Sequence, residues 1–124
     1  MSESTESIQV WCAGEDWCPV TSTATLICRK WHPVIVHRLL NAGPMGFTEL
    51  KEEVDGVSSK VLSDSLEDLQ NKNLVVRSII SEKPFRVEYS LTPQGTDLEP
   101  VIRAMEEWGK SNLQAPADPS SGRF

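Results

Sequence analysis

The 124 residues predict a mainly helical α+β domain with one small β-hairpin, and three observations carry that prediction. Leu62, Leu66 and Leu69 recur at i, i+4, i+7 in residues 58–69, the period of a helix with one apolar stripe. Residues 86–91 alternate polar and apolar after a β-branched run at 74–80, the signature of two paired strands. Gly43-Pro44, Asp55-Gly56 and Thr92-Pro93 then punctuate the chain between these segments.

In chain order, residues 1–17 read as an N-terminal arm whose Trp11 and Trp17 are expected to pack on something, a partner subunit being one candidate. Residues 20–27 form a short predicted helix, opened by Pro19 and by Thr21 and Ser22, whose hydroxyls suit the cap of a first turn. A second helix over 31–40 carries Trp31, Ile35 and Leu39 at i, i+4, i+8, widened by Val36 and Leu40. Pro33 falls in its first turn, where the missing N–H costs little. Residues 41–46 end it as a glycine-proline turn. A third helix over 47–54 has Phe47, Leu50 and Val54 on one side. Residues 55–57 make a tight turn, and Ser58 or Ser59 caps the fourth helix, whose outer face holds Lys60, Ser63, Asp64, Glu67 and Asn71.

The predicted strands at 74–80 and 86–91 are joined by a loop, 81–85, with a basic and aromatic tip, and Val87, Tyr89 and Leu91 point inward. Thr92 caps and Pro93 opens a last helix with Leu98, Val101, Ile102, Met105 and Trp108 as its stripe. Its expected surface pairs are Glu99/Arg103, Arg103/Glu107 and Glu106/Lys110. Pro100 removes a rung of the hydrogen-bond ladder, so a kink or restart is expected there. Residues 18–113 form the single domain, and 114–124 have the composition of a disordered tail.

A hydrophobic content of 39% supports one domain with a modest core. No apolar run nears the ~18 residues of a membrane span, and no basic-plus-apolar leader opens the chain. The expectation is a cytoplasmic protein with no membrane partner. A net charge of −6 counts against a general nucleic-acid binder, which carries a basic excess. The acid is unevenly placed, however. Residues 1–20 hold Glu3, Glu6, Glu15 and Asp16 and no base, whereas residues 21–57 and 58–91 are each balanced. Acidic ends on a neutral centre also fit adaptation to high salt, which a rise in thermal midpoint in molar KCl would reveal.

Three helices, an outward-facing helix, a hairpin and a final helix follow the order of a winged helix-turn-helix. The leucine stripe docks the fourth helix on the others, leaving its outer face for a major groove and the hairpin for the flanking backbone. Cys18-Pro19-Val20, Lys30-Trp31, Arg38-Leu39-Leu40, Gly43-Pro44 and Phe47-Thr48-Glu49-Leu50 stand in order along the first half. Leu74-Val75, the block from Arg86 to Gly95, Leu98-Glu99-Pro100-Val101 and Trp108-Gly109 follow. On these residues, over roughly 18–109, the chain resembles the HxlR-type family of winged-helix transcription regulators. The resemblance implies a homodimer joined through its first and last helices, with two recognition helices reading a pseudo-palindromic operator in double-stranded DNA. One departure is that Cys28-Arg29 stands where the family has a small residue, commonly glycine, before the Lys-Trp pair.

The resemblance also places Cys18 where several family members sense electrophiles or oxidants. A cysteine near a helix start has a lowered pKa and more of the reactive thiolate; the plainer reading is a small buried hydrophobe. Cys12 is a candidate resolving thiol, and Cys28 another, within the chain or between subunits. Three cysteines in a cytosolic chain are not a structural disulfide framework. Cys12, Cys18, Cys28 and His32 could instead ligate a metal, but Cys-x5-Cys and Cys-x9-Cys are not zinc-knuckle spacings, and no cofactor is expected.

Ser58, Ser59, Lys60, Ser63 and Asp64 are the expected base- and phosphate-facing residues, with a merely solvated helix face as the competing reading. Asp64 and Glu67 sit awkwardly beside phosphate, although a carboxylate can accept from cytosine N4 or bar a wrong sequence. Lys83 and Arg86 on the wing and Arg77 at its base are backbone or minor-groove candidates. Arg29 and Lys30 could neutralise a phosphate, or Lys30 could lie along Trp31. Trp31 and Trp108 are expected as core and dimer-interface anchors. His32 and His37 have no visible acid or nucleophile partner. With no Ser/His/Asp order, phosphate-cradling glycine loop or paired catalytic carboxylates, enzyme activity is not expected. The expected function is a sequence-specific, thiol-redox-responsive DNA-binding regulator. The alternatives are a winged-helix module that binds protein, which the acidic balance favours, and a metal-responsive regulator. A thiol-redox enzyme is disfavoured, since no Cys-x-x-Cys is present.

Overall fold

The computed structural model describes residues 17–114, so arm positions 1–16, with Trp11 and Cys12, and tail positions 115–124 lie outside the described residues. The elements are α1 (Pro19–Ile27), α2 (His32–Ala42), α3 (Phe47–Glu53), α4 (Ser59–Asn71), β1 (Val75–Glu82), β2 (Phe85–Leu91), α5 (Pro93–Thr96) and α6 (Glu99–Asn112). This is a winged helix-turn-helix, with α3 and α4 as the helix-turn-helix and the antiparallel pair β1–β2 as the wing.

Helix ends explain most of the boundaries. α1 starts at Pro19 with Cys18 as its extended N-cap, so the expected caps Thr21 and Ser22 lie inside the helix and Ser22 is buried. Trp31 likewise sits at the N-cap of α2, leaving Pro33 in the first turn. The N–H of Gly46 donates to Glu49 Oε1 at 2.8 Å and fixes the start of α3. Gly56, at φ 94°, makes the turn into α4 in a conformation that side chains rarely adopt. Ser58, not Ser59, caps α4: its Oγ accepts the Val61 N–H at 3.1 Å. At the other end Asn73 takes φ 63°, its N–H donating to Gln70 O and that of Leu74 to Leu69 O, both at 3.0 Å. That pair of bonds is a Schellman motif with asparagine in the left-handed position.

The core lies where α2, α3 and α4 meet. Ile35, Val36 and Leu39 from α2, Leu50 from α3 with Val54 just beyond it, and Leu62, Leu66 and Leu69 from α4 are all buried. Trp31, Leu40 and Phe47 pack on it while partly exposed. Each fully buried leucine contributes about 1.5–3 kcal/mol relative to exposure, so the stripe of α4 is what holds that helix in place.

The wing is longer and tighter than expected. β1 runs to Glu82 and β2 begins at Phe85, so only Lys83 and Pro84 remain in the turn instead of a five-residue loop. The register slips by one residue between Ile79 and Ser81, a bulge that lets β1 continue. Tyr89 and Leu91 pack on the core as expected, and Val87 is partly buried. Met45 and Tyr89 exchange backbone hydrogen bonds of 3.0 and 2.8 Å, tying the wing to the loop before α3.

Pro100 produces the expected restart. α5 is a single turn, its Gly95 N–H bound by Thr92 Oγ1 at 3.0 Å, and α6 begins anew at Glu99 with Pro100 in its first turn. The predicted stripe of the last helix divides: Ile102 is buried and Leu98 partly so, but Val101, Met105 and Trp108 face outward, Trp108 being 61% exposed. Trp108 is therefore no core anchor of this chain. Arg103 pairs with Glu99 at 3.3 Å and with Glu106 at 3.6 Å rather than with Glu107, the i, i+3 carboxylate lying within reach, and Glu106 pairs with Lys110 at 3.8 Å. Among the described residues no helix is long and apolar enough to cross a membrane.

Candidate nucleic-acid interface

The apolar stripe of α4 turns its other side outward, and Ser58, Ser59, Lys60, Ser63, Asp64, Glu67 and Asn71 are all exposed there. Lys60 Nζ donates to Asp64 Oδ2 at 3.0 Å, one turn along. The face is thus hydroxyl-rich with an internally paired charge. The cation of this face is already paired with a carboxylate, and the face offers little net positive charge.

The wing supplies the free positive charge. Arg77 and Arg86 line a groove of about 550 Å³ between the start of α3 and the hairpin, together with Phe47, Thr48, Phe85 and Tyr89. Lys83 is exposed at the turn, and Phe85 beside it is 61% exposed. Lys30 lies over the Trp31 ring at 5.0 Å, the cation–π arrangement expected as its alternative to a phosphate contact.

Cys18 and Cys28 occupy opposite ends of α1. Cys18 is the half-buried N-cap and Cys28 the exposed C-cap. Ten residues of helical rise separate them by about 15 Å. A disulfide needs Cα atoms within about 7 Å. Pairing of Cys18 with Cys28 inside one chain is therefore precluded while α1 stands, as is their sharing one metal ion. The Cys18 thiol makes no regular capping hydrogen bond, yet its pKa lies below the ordinary thiol value. The Thr21 hydroxyl is the main cause, followed by the backbone N–H groups of Thr21 and Val20. This is the thiolate-favouring surrounding of a helix start.

The expectation that the histidines lack acid partners is overturned. His32 is 3% exposed, and its Nε2 lies 2.7 Å from Asp68 Oδ2 on α4. Lys72 Nζ lies 2.8 Å from the same oxygen and also donates to Leu26 O of α1 at 3.1 Å, while Arg29 approaches Asp68 to 4.0 Å. His32 Nδ1 is buried with no partner. Burial, the largest influence on both groups, holds the His32 pKa below its ordinary value despite the pull of Asp68. For Asp68 burial works the other way, but the hydrogen bonds from Lys72 and His32 outweigh it and lower the carboxyl pKa. His37, on the next turn of α2, approaches Glu106 of α6 at 3.7 Å. Sequence spacing conceals both contacts, because each joins helices far apart in the chain.

A profile of the HxlR-like helix-turn-helix family matches residues 26–117. The HTH-type transcriptional regulator YodB of Bacillus subtilis is 34% identical over 96 residues, which cover 77% of this chain and 85% of YodB. Among solved structures, the redox regulator HypR in its oxidized form matches with a TM-score of 0.73 at 33% identity, over 78% of this chain and 99% of that chain. The reduced form of YodB matches with a TM-score of 0.67 at 32% identity, over 80% of this chain and 97% of that chain. With a helix-turn-helix, a wing and these matches in agreement, the chain belongs to the HxlR-like helix-turn-helix family and is a DNA-binding transcriptional regulator, not an enzyme.

Proposed function

We propose that this regulator acts in the cytoplasm as a homodimer on a pseudo-palindromic operator, and that the oxidation state of Cys18 sets its operator affinity. Ser58, Ser59, Lys60, Ser63 and Asp64 of each subunit meet a major groove, and Arg77, Lys83 and Arg86 grip the flanking backbone. The observation that carries the thiol reading is the placing of Cys18 at the N-cap of α1, beside Thr21, with its pKa lowered. The names of the structural neighbours support it: HypR is called a redox regulator and is solved oxidized and reduced, and YodB is solved after diamide treatment. The dimer reading is supported by the outward apolar side chains of α1 and α6. Val20 is 77% exposed, and Pro100, Val101, Met105, Trp108 and Leu113 line a groove of about 780 Å³ with little polar surface.

With hydrogen peroxide as oxidant, the Cys18 thiolate attacks one peroxide oxygen. The O–O bond breaks, an S–O bond forms, and hydroxide leaves, which takes up the proton the thiol had released to give water and the sulfenic acid. A second thiolate, from Cys12 or from Cys28 of the partner subunit, then attacks that sulfur; the S–S bond forms, the S–O bond breaks, and hydroxide leaves to take up the second thiol's proton as a second water. Two thiols lose two electrons in all, and the peroxide gains them. The test is Cys18→Ser: it is expected to bind operator DNA as the reduced protein does, with no change on adding diamide. A wild-type-sized response in that variant sinks the sensing reading. A genome-wide binding profile with and without oxidant identifies the operator and the genes that follow it.

A further inference from the structure

The carboxylate of Asp68 is where three helices meet. It belongs to α4, receives His32 Nε2 from the first turn of α2 at 2.7 Å, and pairs with Lys72 Nζ at 2.8 Å. Lys72 is itself the C-cap of α4, and the same ammonium donates to Leu26 O at 3.1 Å. Leu26 is one residue from the end of α1, so its carbonyl is among those a helix leaves without an internal partner. The C-terminus of α1, which carries partial negative charge, thus rests on a cation supplied from the C-cap of α4, the Lys72 side chain being 19% exposed. Among the described residues, α1 buries Ile27 and Ser22, with Leu26 partly buried, while Val20 at the Cys18 end is largely exposed.

We propose that Lys72, held by Asp68 and His32, is a positioning residue that sets the orientation of the recognition helix α4 against α1, and that through it a displacement of the Cys18 end of α1 reaches the DNA-facing side. The buried leucine stripe fixes α4 against the core, and the Lys72 ammonium adds a directional tie to α1, because a charge-assisted hydrogen bond to one carbonyl weakens steeply with angle. α1 is a lever about 13 Å long whose redox-active end and pinned end are opposite one another. The transmission half of the proposal rests on the reading of Cys18 as the sensor; the positioning half stands without it.

The experiment uses the full-length protein with Lys72→Met, which keeps the length of the side chain and removes the ammonium. Two probes are needed: a duplex selected from random DNA by the reduced wild-type protein, and a random duplex of the same length. Lys72→Met is expected to lower the ratio of selected-duplex to random-duplex affinity by about tenfold. Affinity for the random duplex stays within about twofold, since Lys72 is turned to Leu26 and Asp68 rather than to phosphate. Diamide is expected to shift selected-duplex affinity far less in this variant than in the wild type, although alkylation and mass measurement show Cys18 oxidised to the same extent. Lys72→Arg, which keeps donors and charge, is expected to restore both. Where Lys72→Met does not fold, Asp68→Asn is measured and the same fall in ratio is expected. An unchanged ratio overturns the positioning role. A full diamide response in Lys72→Met overturns the transmission. If the wild type itself ignores diamide with Cys18 oxidised, the Cys18 reading falls, and the affinity ratio still decides the role of Lys72.

Discussion

Protonating His32 is unfavourable in the folded chain, because its ring is buried and a proton on Nδ1 would meet no acceptor, and burial outweighs the pull of the Asp68 carboxylate beside Nε2. Its pKa in the fold lies below the ordinary value of 6.5, so as pH falls the unfolded chain takes up this proton first. The stabilisation is complete above pH 6.5 and is lost as pH drops through the folded pKa. Asp68, also lowered, adds a second loss once pH falls below its ordinary value of 3.8. Scanning calorimetry is expected to show a thermal midpoint that declines below pH 6.5, and a shallower decline in His32→Gln. None of this was legible in the sequence, where Asp68 stands 36 positions from His32 and looks like one more solvated acid on a helix. The place of Cys18 at a helix start was legible, because the proline after it marks a first turn and needs no distant partner.

Among the elements, the two that frame α4 depend on close backbone geometry. A Cβ on Gly95 would stand 2.2 Å from the carbonyl oxygen of Leu74, which also accepts the Thr92 N–H at 3.0 Å. Gly95→Ala must therefore push α5 away from the end of the recognition helix. It is expected to cost about 2–3 kcal/mol in urea unfolding. Ser58→Ala removes the cap of α4 and is expected to cost about 1 kcal/mol by the same measurement. The helices themselves were readable from periodicity, since i, i+4 stripes such as Leu62, Leu66 and Leu69 depend on local geometry alone. The wing was underestimated because Ser81 and Glu82 lack strand-like character and are drawn into β1 by pairing with Arg86 and Phe85. The division of the α6 stripe was equally hidden: only the packed fold decides that Ile102 is covered while Val101, Met105 and Trp108 are left outside.

For the molecule as a whole, a net charge of −6 and a neutral reading head make salt dependence a direct probe of how it meets DNA. Arg86→Ala is expected to weaken binding to selected and random duplexes alike. It should also flatten the plot of log affinity against log salt by about one unit of slope, as loss of one phosphate contact requires. Trp108→Asp, placing a charge on the outward face of α6, is expected to give a monomer by analytical ultracentrifugation with secondary structure intact by circular dichroism. A dimer that survives that change removes α6 from the proposed subunit contact.

The corner between α5 and α6 has a consequence for operator spacing. Asp97 closes the one helix and Leu98 opens the other, so the helix proposed to join subunits is hung from the reading head by two residues. Gain or loss of one residue at that corner would turn everything beyond it by about 100°. In the proposed dimer such a change would alter the separation of the two recognition helices without touching the side chains proposed to face the bases. On the proposed dimer, operator spacing and base preference are thus set by separate parts of the fold, and Ile102, which α6 buries in the core, is what holds that helix to its present angle.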